Sequence, residues 1–294
     1  MISSDTKIFF FVNLFFLIII FLYGEIIYSN FLNQLYIFLI PLIWPGLAHG
    51  SLDILTAKRK KLIKYKFSFF YFLILYLFIP IFFFLIWQIY PNYIFTIFLV
   101  LSLMHFGISD KLSHKKSIII NEILLRSLII ICLPIIFYNE QTLAVFYFLN
   151  ISNEYGIFLT KFFSFASYLI IPLILVFLFS TLKNQDYGHL IDITILFFCF
   201  IFFEPLLSFF IYFCFLHSVR HLQNEKKFIN LSNKNLLLKT IPMTLIVLFT
   251  FICLIFLFFY FPKFINSLNL NNLIIAIFCL TISHVVLINF IKDK

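Results

Sequence analysis

The feature that most constrains this chain is a series of long apolar runs without Asp, Glu, Lys or Arg, such as Phe67 to Ser109 and Thr240 to Phe261. A helix needs about 20 apolar residues to cross roughly 30 Å of hydrocarbon, and it satisfies its own peptide groups there. Because 63% of the residues are hydrophobic and 11% are charged, a soluble domain could not cover the apolar surface. The sequence predicts an all-α, polytopic transmembrane bundle, with residues 1–294 as a single integral membrane domain.

About ten helices, with a range of eight to ten, fit the pattern of apolar segments. The predicted spans are 8–24, 31–50, 67–89, 93–109, 118–137, 157–181, 189–203, 205–222, 240–261 and 272–290. The seventh and eighth spans are short. This pattern is typical of a multi-pass protein of the cell membrane.

The distribution of basic residues predicts that both termini are cytoplasmic. The formal net charge is +9, which could suggest a nucleic-acid partner. With the N-terminus inside, however, Lys161 and Lys263 are the only two of 21 basic residues on the opposite side of the membrane. Such an asymmetry follows the positive-inside rule. The excess of basic residues is therefore explained by membrane topology. We expect a lipid bilayer as partner and no nucleic acid.

Four histidines fall at the same predicted end of the spans: His49, His105, His217 and His221. The spans that carry them, the second, fourth and eighth, all end on the cytoplasmic side. Ionisable side chains within a membrane cost several kcal/mol and are usually functional. Histidines brought to one depth from distant segments therefore predict a shared site, and imidazole ligands suit Fe(II), Cu or Zn. Spacing alone leaves the choice of metal open.

Each histidine segment has its own local pattern. His217 and His221 are four residues apart, so they share one face of a helix and could reach one ion. His49 and His105 are followed by Asp53 and Asp110, four and five residues later. A carboxylate can accept the distal ring N–H of a metal ligand and fix its orientation. Both aspartates could instead be boundary residues at the cytoplasmic surface, and a pair of histidines at a helix end could simply hydrogen-bond.

The other three histidines fit a metal site less well. His114 lies in a lysine-rich loop, where solvation is expected. His189 begins the seventh span and is either a wall of the site or an interfacial residue. His284 lies within the last span, where polar groups are rare. It is therefore a candidate for a residue that supports a metal ligand or lies on the substrate side of the site.

Several stretches resemble the Brp/Blh family of membrane β-carotene 15,15′-dioxygenases, which make retinal for microbial rhodopsins. Glu204–His221 is similar to the family's proline-led helix that ends in His217-Ser218-Val219-Arg220-His221. Gly46–Asp53 resembles its first histidine motif and His105–Asp110 its second, while Thr281–His284 resembles a looser C-terminal motif. The order and rough spacing of the motifs also agree.

The resemblance implies that His49, His105, His217 and His221 bind a single Fe(II). From the residues themselves, Asp53, Asp110 and His284 are candidates for groups that hydrogen-bond to these ligands, and His284 could also lie on the substrate side. The expected activity is cleavage of β-carotene, drawn from the bilayer, by dioxygen at the central double bond, giving two all-trans-retinal molecules. No protein nucleophile is required, so we expect no catalytic residue beyond the metal site.

Three other functional classes compete with this hypothesis. A membrane di-iron desaturase generally needs about eight histidines in boxes with adjacent pairs, and this chain has seven histidines and no His-His. A b-type haem protein would use histidines from two facing helices. A transporter would also place histidines among kinked helices, but its polar groups more often gather near the midplane of the bilayer.

Overall fold

A computed structural model describes residues 2–113, 115–260 and 270–291 of this chain. Every regular element in the described residues is helical, and none is a strand. The α-helices are α1 (Ser4–Tyr28), α2 (Phe31–Ile37), α3 (Leu39–Pro41), α4 (Asp53–Arg59), α5 (Lys66–Ile89), α6 (Pro91–Asp110), α7 (Lys116–Phe137), α8 (Asn139–Phe148), α9 (Asn153–Ala166), α10 (Ile170–Lys183), α11 (Tyr187–Phe202), α12 (Pro205–Tyr212), α13 (Ser218–Phe228), α14 (Asn233–Tyr260) and α15 (Leu270–Val285). The prediction of an all-α protein is therefore confirmed for the described residues.

Short irregular helices connect several of these elements. Turns of 3₁₀ helix are Leu47–Leu52 and Ser167–Leu169. Turns of π-helix are Leu42–Gly46, Phe213–His217 and Val286–Phe290. A π-turn adds one residue to a helical turn and often occurs at functional sites.

Seven helices in the described part of the chain are long and apolar enough to cross a membrane. They are Ser4–Tyr28, Lys66–Ile89, Pro91–Asp110, Ile118–Phe137, Asn153–Lys183, Pro205–Phe228 and Asn271–Phe290. The predicted span 189–203 corresponds to the shorter apolar helix Tyr187–Phe202. The predicted span 240–261 lies within α14, except for its last residue, which is outside the described residues. These helices make the chain a polytopic membrane protein, while the total of ten spans and the cytoplasmic termini stay predictions.

The prediction of one continuous helix over residues 31–50 is wrong. The segment is divided into α2, α3, the π-turn Leu42–Gly46 and the 3₁₀ turn Leu47–Leu52. Trp44, which precedes Pro45, has an extended backbone with φ −145° and ψ 122°. Proline lacks an N–H and disfavours the helical conformation of the residue before it. The helix therefore breaks just before His49.

Two compact units make up the chain. Unit 1 consists of Met1–Gly46, Leu103–Val145 and Asn153–Leu222, and unit 2 consists of Leu47–Ser102, Phe146–Ser152 and Gln223–Lys294. The prediction of a single membrane domain is not tested by this division and stays a prediction.

Helix α7 is the centre of unit 1. It packs against α9, α10 and α11, while α1 packs against α11, α12 and the π-turn Phe213–His217. About two-thirds of the most apolar stretch of α7 is buried. Gly107 allows the end of α6 to approach α7 closely, because a Cβ atom there would lie 2.6 Å from the Ile123 carbonyl and from Ser127 Oγ. Ser127 Oγ in turn donates a hydrogen bond to the Leu103 carbonyl at 2.7 Å.

In unit 2, α5 packs against α15, and α14 packs against the 3₁₀ turn Leu47–Leu52. Ser283 Oγ on α15 donates a hydrogen bond to the Tyr76 carbonyl on α5 at 2.7 Å. The three segments that carry His49, Tyr76 and His284 are therefore parts of one packed unit.

Candidate metal centre

Unit 1 contains the predicted ligands His105, His217 and His221, and all three are buried. His105 comes from the last turns of α6, His217 ends the π-turn Phe213–His217, and His221 lies one turn further along α13. The ring centroids of His105 and His217 are 5.0 Å apart with the rings edge to face. Those of His217 and His221 are 6.5 Å apart with nearly parallel planes. The structure therefore brings these three imidazoles together within unit 1.

A carboxylate and a phenol orient His217. Tyr212 Oη donates a hydrogen bond to Asp110 Oδ2 at 2.5 Å, and His217 Nδ1 lies 3.1 Å from Asp110 Oδ1. An ionised carboxylate only accepts hydrogen bonds, so the imidazole donates from Nδ1–H. In a neutral His217 the lone pair is then on Nε2, which is buried. This is the arrangement that fixes tautomer and orientation in metal-binding histidines.

Aromatic rings enclose the same imidazole. The Phe106 ring lies edge-on at 4.8 Å from His217, and the Phe213 ring stacks on it at 5.9 Å. Phe106 also contacts the Tyr212 ring at 5.4 Å. Well-packed rings restrict the rotation of His217, since protein interiors tolerate little displacement. His217 is therefore held in place from its Nδ1 edge and across its ring face.

A buried ion-pair network supports the junction of the π-turn Phe213–His217 and α13, where both histidines lie. Arg220 donates from Nε to Asp5 Oδ2 at 2.5 Å and from Nη2 to Asp192 Oδ1 at 2.6 Å. Asp192 Oδ2 lies 2.7 Å from Arg126 Nη2, and Arg126 Nε donates to Glu122 Oε1 at 2.9 Å. All five side chains are buried. Breaking such a pair on one side costs about 3–5 kcal/mol, because a buried charge loses its partner.

Arg220 also connects this network to the site. Its Nη1 donates a hydrogen bond to the backbone carbonyl of Asp110 at 2.7 Å. Arg220 lies between His217 and His221 in the sequence, so its anchoring fixes the register of both histidines. The charge pattern had assigned Arg126 and Arg220 to the cytoplasmic side as topological charges. Both are buried in ion pairs, and sequence reasoning missed this role.

Unit 2 contains the predicted ligand His49 and also His284, which was expected to support the ligands. Their ring centroids are 4.8 Å apart, with the planes nearly perpendicular at 88°. His284 Nδ1 lies 2.9 Å from both carboxylate oxygens of Asp53. Tyr76 Oη donates a hydrogen bond to Asp53 Oδ2 at 2.5 Å. His284 is therefore oriented by an aspartate that itself accepts a hydrogen bond from a tyrosine.

Different contacts support the unit 2 residues. Lys60 is buried, and its ammonium group donates to the carbonyls of Leu287, Ile288 and Ile291 at 3.0, 2.9 and 2.6 Å. These carbonyls follow His284 at the C-terminal end of its helix, where a cation is favourable. Lys60 therefore caps the segment that carries His284.

A second polar group links α4 to α13 within unit 2. Glu225 accepts hydrogen bonds from Thr56 Oγ1 at 2.8 Å and from Arg59 Nη2 at 3.0 Å. The Arg59 guanidinium also lies 4.7 Å from the centroid of the Phe228 ring. This ion pair is partly exposed at its arginine, in contrast to the fully buried pairs of unit 1.

The two predicted aspartates contact histidines from distant segments. Asp110 bonds to His217, which is a predicted ligand, and Asp53 bonds to His284. The sequence had suggested that each aspartate would orient the histidine of its own motif. Instead, His105 Nδ1 lies 3.4 Å from Ser109 Oγ, one turn along α6. Sequence reasoning also missed Tyr76 and Tyr212, because no local pattern pairs a tyrosine with an aspartate on another helix.

The donor chemistry of these residues fits a transition metal. The Nε2 atoms of His105, His217, His221 and His284 are buried, and neutral imidazole nitrogen is a good ligand for Fe, Cu and Zn. In the described residues, no group of three or more histidine, cysteine, aspartate or glutamate side chains is already arranged around one metal position. His189 belongs to unit 1 and is not among these contacts, and His114 lies outside the described residues.

Fold and site together define an all-helical membrane protein with buried histidines oriented by carboxylates. Comparison with known proteins identifies the family. The family model described as beta-carotene 15,15'-dioxygenase matches residues 40–292. The chain therefore belongs to the beta-carotene 15,15'-dioxygenase family.

A curated relative agrees with this assignment. The beta-carotene 15,15'-dioxygenase of uncultured marine bacterium 66A03 is 25% identical over 260 residues, which is 85% of this chain and 90% of the relative. No solved structure matches the chain significantly. The resemblance predicted from the histidine motifs is thus confirmed at the level of the family.

Proposed function

We propose that this protein cleaves β-carotene at its central 15,15′ double bond with dioxygen and releases two all-trans-retinal molecules, which would supply a rhodopsin. The double bond breaks, and each of its carbons becomes an aldehyde that takes one oxygen atom. The family match and the name of the relative support this reaction. The structural observation that supports this reaction in this protein is the set of buried imidazoles that are oriented by carboxylates in the matched segments.

We propose that the cofactor is non-haem Fe(II), with His49, His105, His217 and His221 as ligands. When bound, the iron supplies the redox chemistry that activates dioxygen. Neutral imidazoles suit this ion, and open positions are needed for a small molecule. The proposal requires one iron per chain.

The protein's own groups have three tasks in this proposal. Asp110 holds the Nδ1 proton of His217, so that Nε2 is the basic nitrogen directed to a metal. Tyr212 donates to the other oxygen of that carboxylate and keeps Asp110 in place. Phe106 and Phe213 pack on the imidazole and exclude water from it. Exclusion of water prevents side reactions of an oxygen-activating site.

The membrane setting fits the substrate. β-Carotene is a long hydrocarbon without polar groups, and it partitions into the apolar core of a bilayer. The helices present many exposed phenylalanine, leucine and isoleucine side chains, as expected for surfaces in contact with lipid. We propose that the protein takes β-carotene directly from a cell membrane, so that the substrate never has to enter water.

The first experiment measures retinal in carotene-producing cells that express either the intact chain or a His217→Ala variant. We expect retinal with the intact chain and at least a hundredfold less with the variant, since loss of an orienting or metal-binding group removes the oxygen chemistry. His114→Ala is the matched control, and it should retain full activity. Retinal formation by His217→Ala at the level of the intact chain would contradict the proposal.

The second experiment measures metal on purified protein. We expect one iron per chain, and loss of iron in each of the His49→Ala, His105→Ala, His217→Ala and His221→Ala variants. Two irons per chain would contradict the assignment of a single ion. Iron-free protein that still cleaves β-carotene would contradict the cofactor assignment, and a Soret absorption band would indicate haem instead.

A further inference from the structure

The two units contain the same three-residue arrangement. In unit 1, Tyr212 donates to Asp110 at 2.5 Å, and Asp110 faces His217 Nδ1 at 3.1 Å. In unit 2, Tyr76 donates to Asp53 at 2.5 Å, and Asp53 faces Nδ1 of His284 at 2.9 Å. Each carboxylate accepts the phenol through Oδ2 and a histidine at Nδ1.

A second histidine accompanies each arrangement in the same way. His105 lies edge to face with His217, with ring centroids 5.0 Å apart. His49 lies edge to face with His284, with ring centroids 4.8 Å apart. His49, His105 and His217 are proposed ligands, whereas His284 was expected to lie behind the ligands or on the substrate side. By its contacts, His284 occupies in unit 2 the position that His217 occupies in unit 1.

The chemistry of the contact decides which nitrogen of His284 is available to a metal. Asp53 is a carboxylate and accepts, so the Nδ1 atom of His284 carries the proton. The basic nitrogen of the neutral ring is then Nε2, which is buried. A histidine kept only for packing would not need two hydrogen-bonded groups, Asp53 and Tyr76, placed behind it inside a membrane helix bundle, where each polar group is costly.

We infer that His284 is an iron ligand, and that Asp53 and Tyr76 are the positioning residues that orient it. This inference rests on the proposed function, because it assigns a ligand to the same cofactor. It gives unit 2 two imidazole ligands, His49 and His284, in the same edge-to-face relation as His105 and His217.

The test compares purified His284→Asn with the intact chain. The amide of asparagine can still donate to Asp53 from the position of Nδ1, so a merely structural role would survive the change. We expect His284→Asn to fold, and to bind Fe(II) under anaerobic conditions at least tenfold more weakly. X-ray absorption of the metal-loaded protein should count one imidazole fewer than in the intact chain. Asp53→Asn should keep the imidazole count and weaken binding by about 10–100-fold.

Matched variants define the outcomes. His217→Asn and Asp110→Asn should behave as His284→Asn and Asp53→Asn do, whereas Tyr71→Phe, on an exposed position of the same helix as Tyr76, should bind iron as the intact chain does. An unchanged affinity and imidazole count in His284→Asn would overturn the inference alone. Absence of iron from the intact chain would overturn the inference together with the proposed cofactor.

Discussion

The Tyr-Asp-His arrangements of unit 1 and unit 2 match in their hydrogen bonds, but their supports differ. In unit 1, His217 lies on a long helix, is enclosed by Phe106 and Phe213, and is followed by an arginine in a buried ion-pair network. In unit 2, His49 lies on a short 3₁₀ turn after a helix break. The helix end that follows His284 is capped by one lysine.

This difference suggests a division of roles. The buried ion pairs of unit 1 hold the segment that carries His217 and His221. Removing any one partner from these pairs should destabilise the protein strongly, because it leaves a buried charge unpaired. The supports of unit 2 are hydrogen bonds to backbone carbonyls and a partly exposed ion pair. We therefore expect unit 1 to tolerate substitution less well than unit 2, and the following predictions test this contrast.

The largest effect is expected at the centre of the unit 1 network. Asp192→Asn removes the charge that Arg126 and Arg220 share, and it should destabilise the protein by about 3–5 kcal/mol. The measurement is the temperature at which detergent-purified protein loses its monodisperse elution profile.

Glu225→Gln is the matched change in unit 2. Its partner Arg59 is partly exposed, so the cost should be about 1 kcal/mol or less. If the two variants lost stability equally, the proposed contrast between the units would be wrong.

The second prediction compares two glycines that neighbour histidines. Gly107→Ala would place a Cβ atom 2.6 Å from the Ile123 carbonyl and from Ser127 Oγ, so we expect a loss of about 2–3 kcal/mol from overpacking. Gly50→Ala meets no atom within 4 Å and should leave stability unchanged or slightly higher. Thermal unfolding of both variants checks this, and a larger loss at Gly50 would reverse the comparison.

The third prediction concerns the cap of unit 2. Lys60→Met removes the donor for three backbone carbonyls at the end of the segment that follows His284, and the expected loss is about 1–2 kcal/mol. Hydrogen exchange at the C-terminal end of α15 should increase, because the segment opens more often. Lys58→Met, on an exposed neighbour, is the control, and equal effects would argue against a specific cap.

The smallest effect is expected at the two tyrosines. Tyr76→Phe and Tyr212→Phe each remove one hydrogen bond to an aspartate, which is worth about 1 kcal/mol, or about fivefold in iron affinity. Anaerobic titration with Fe(II) measures both variants side by side. Equal losses would support equivalent roles in the two units, and a loss in Tyr212→Phe alone would restrict the positioning role to unit 1.

The class of fold could be predicted from the sequence because it depends on local composition. The runs around α5 and α6 and the i, i+4 spacing of His217 and His221 needed no information from distant residues. The break before His49 was missed, although Pro41 and Pro45 signal it, because an apolar run of suitable length was read as one helix.

The hydrogen bonds within the site could not be predicted from the sequence, because they join residues that are far apart in the chain. Asp53 and His284 are 231 positions apart, and Asp110 and His217 are 107 apart, so only the packed helices bring them together. The sequence did contain one indication of the buried ion-pair network. Glu122 and Arg126, at i, i+4 within an apolar span, are typical of a buried pair rather than of a cytoplasmic loop.

The buried charges of unit 1 do not cancel. Among its described side chains, Arg126 and Arg220 stand against four carboxylates, those of Asp5, Asp110, Glu122 and Asp192. With neutral imidazoles, two negative charges are left over in surroundings where uncompensated charge is very costly. A divalent cation carries the opposite charge. Fe(II) bound as proposed would offset this negative charge, and occupancy of the site would then be linked to the stability of the fold.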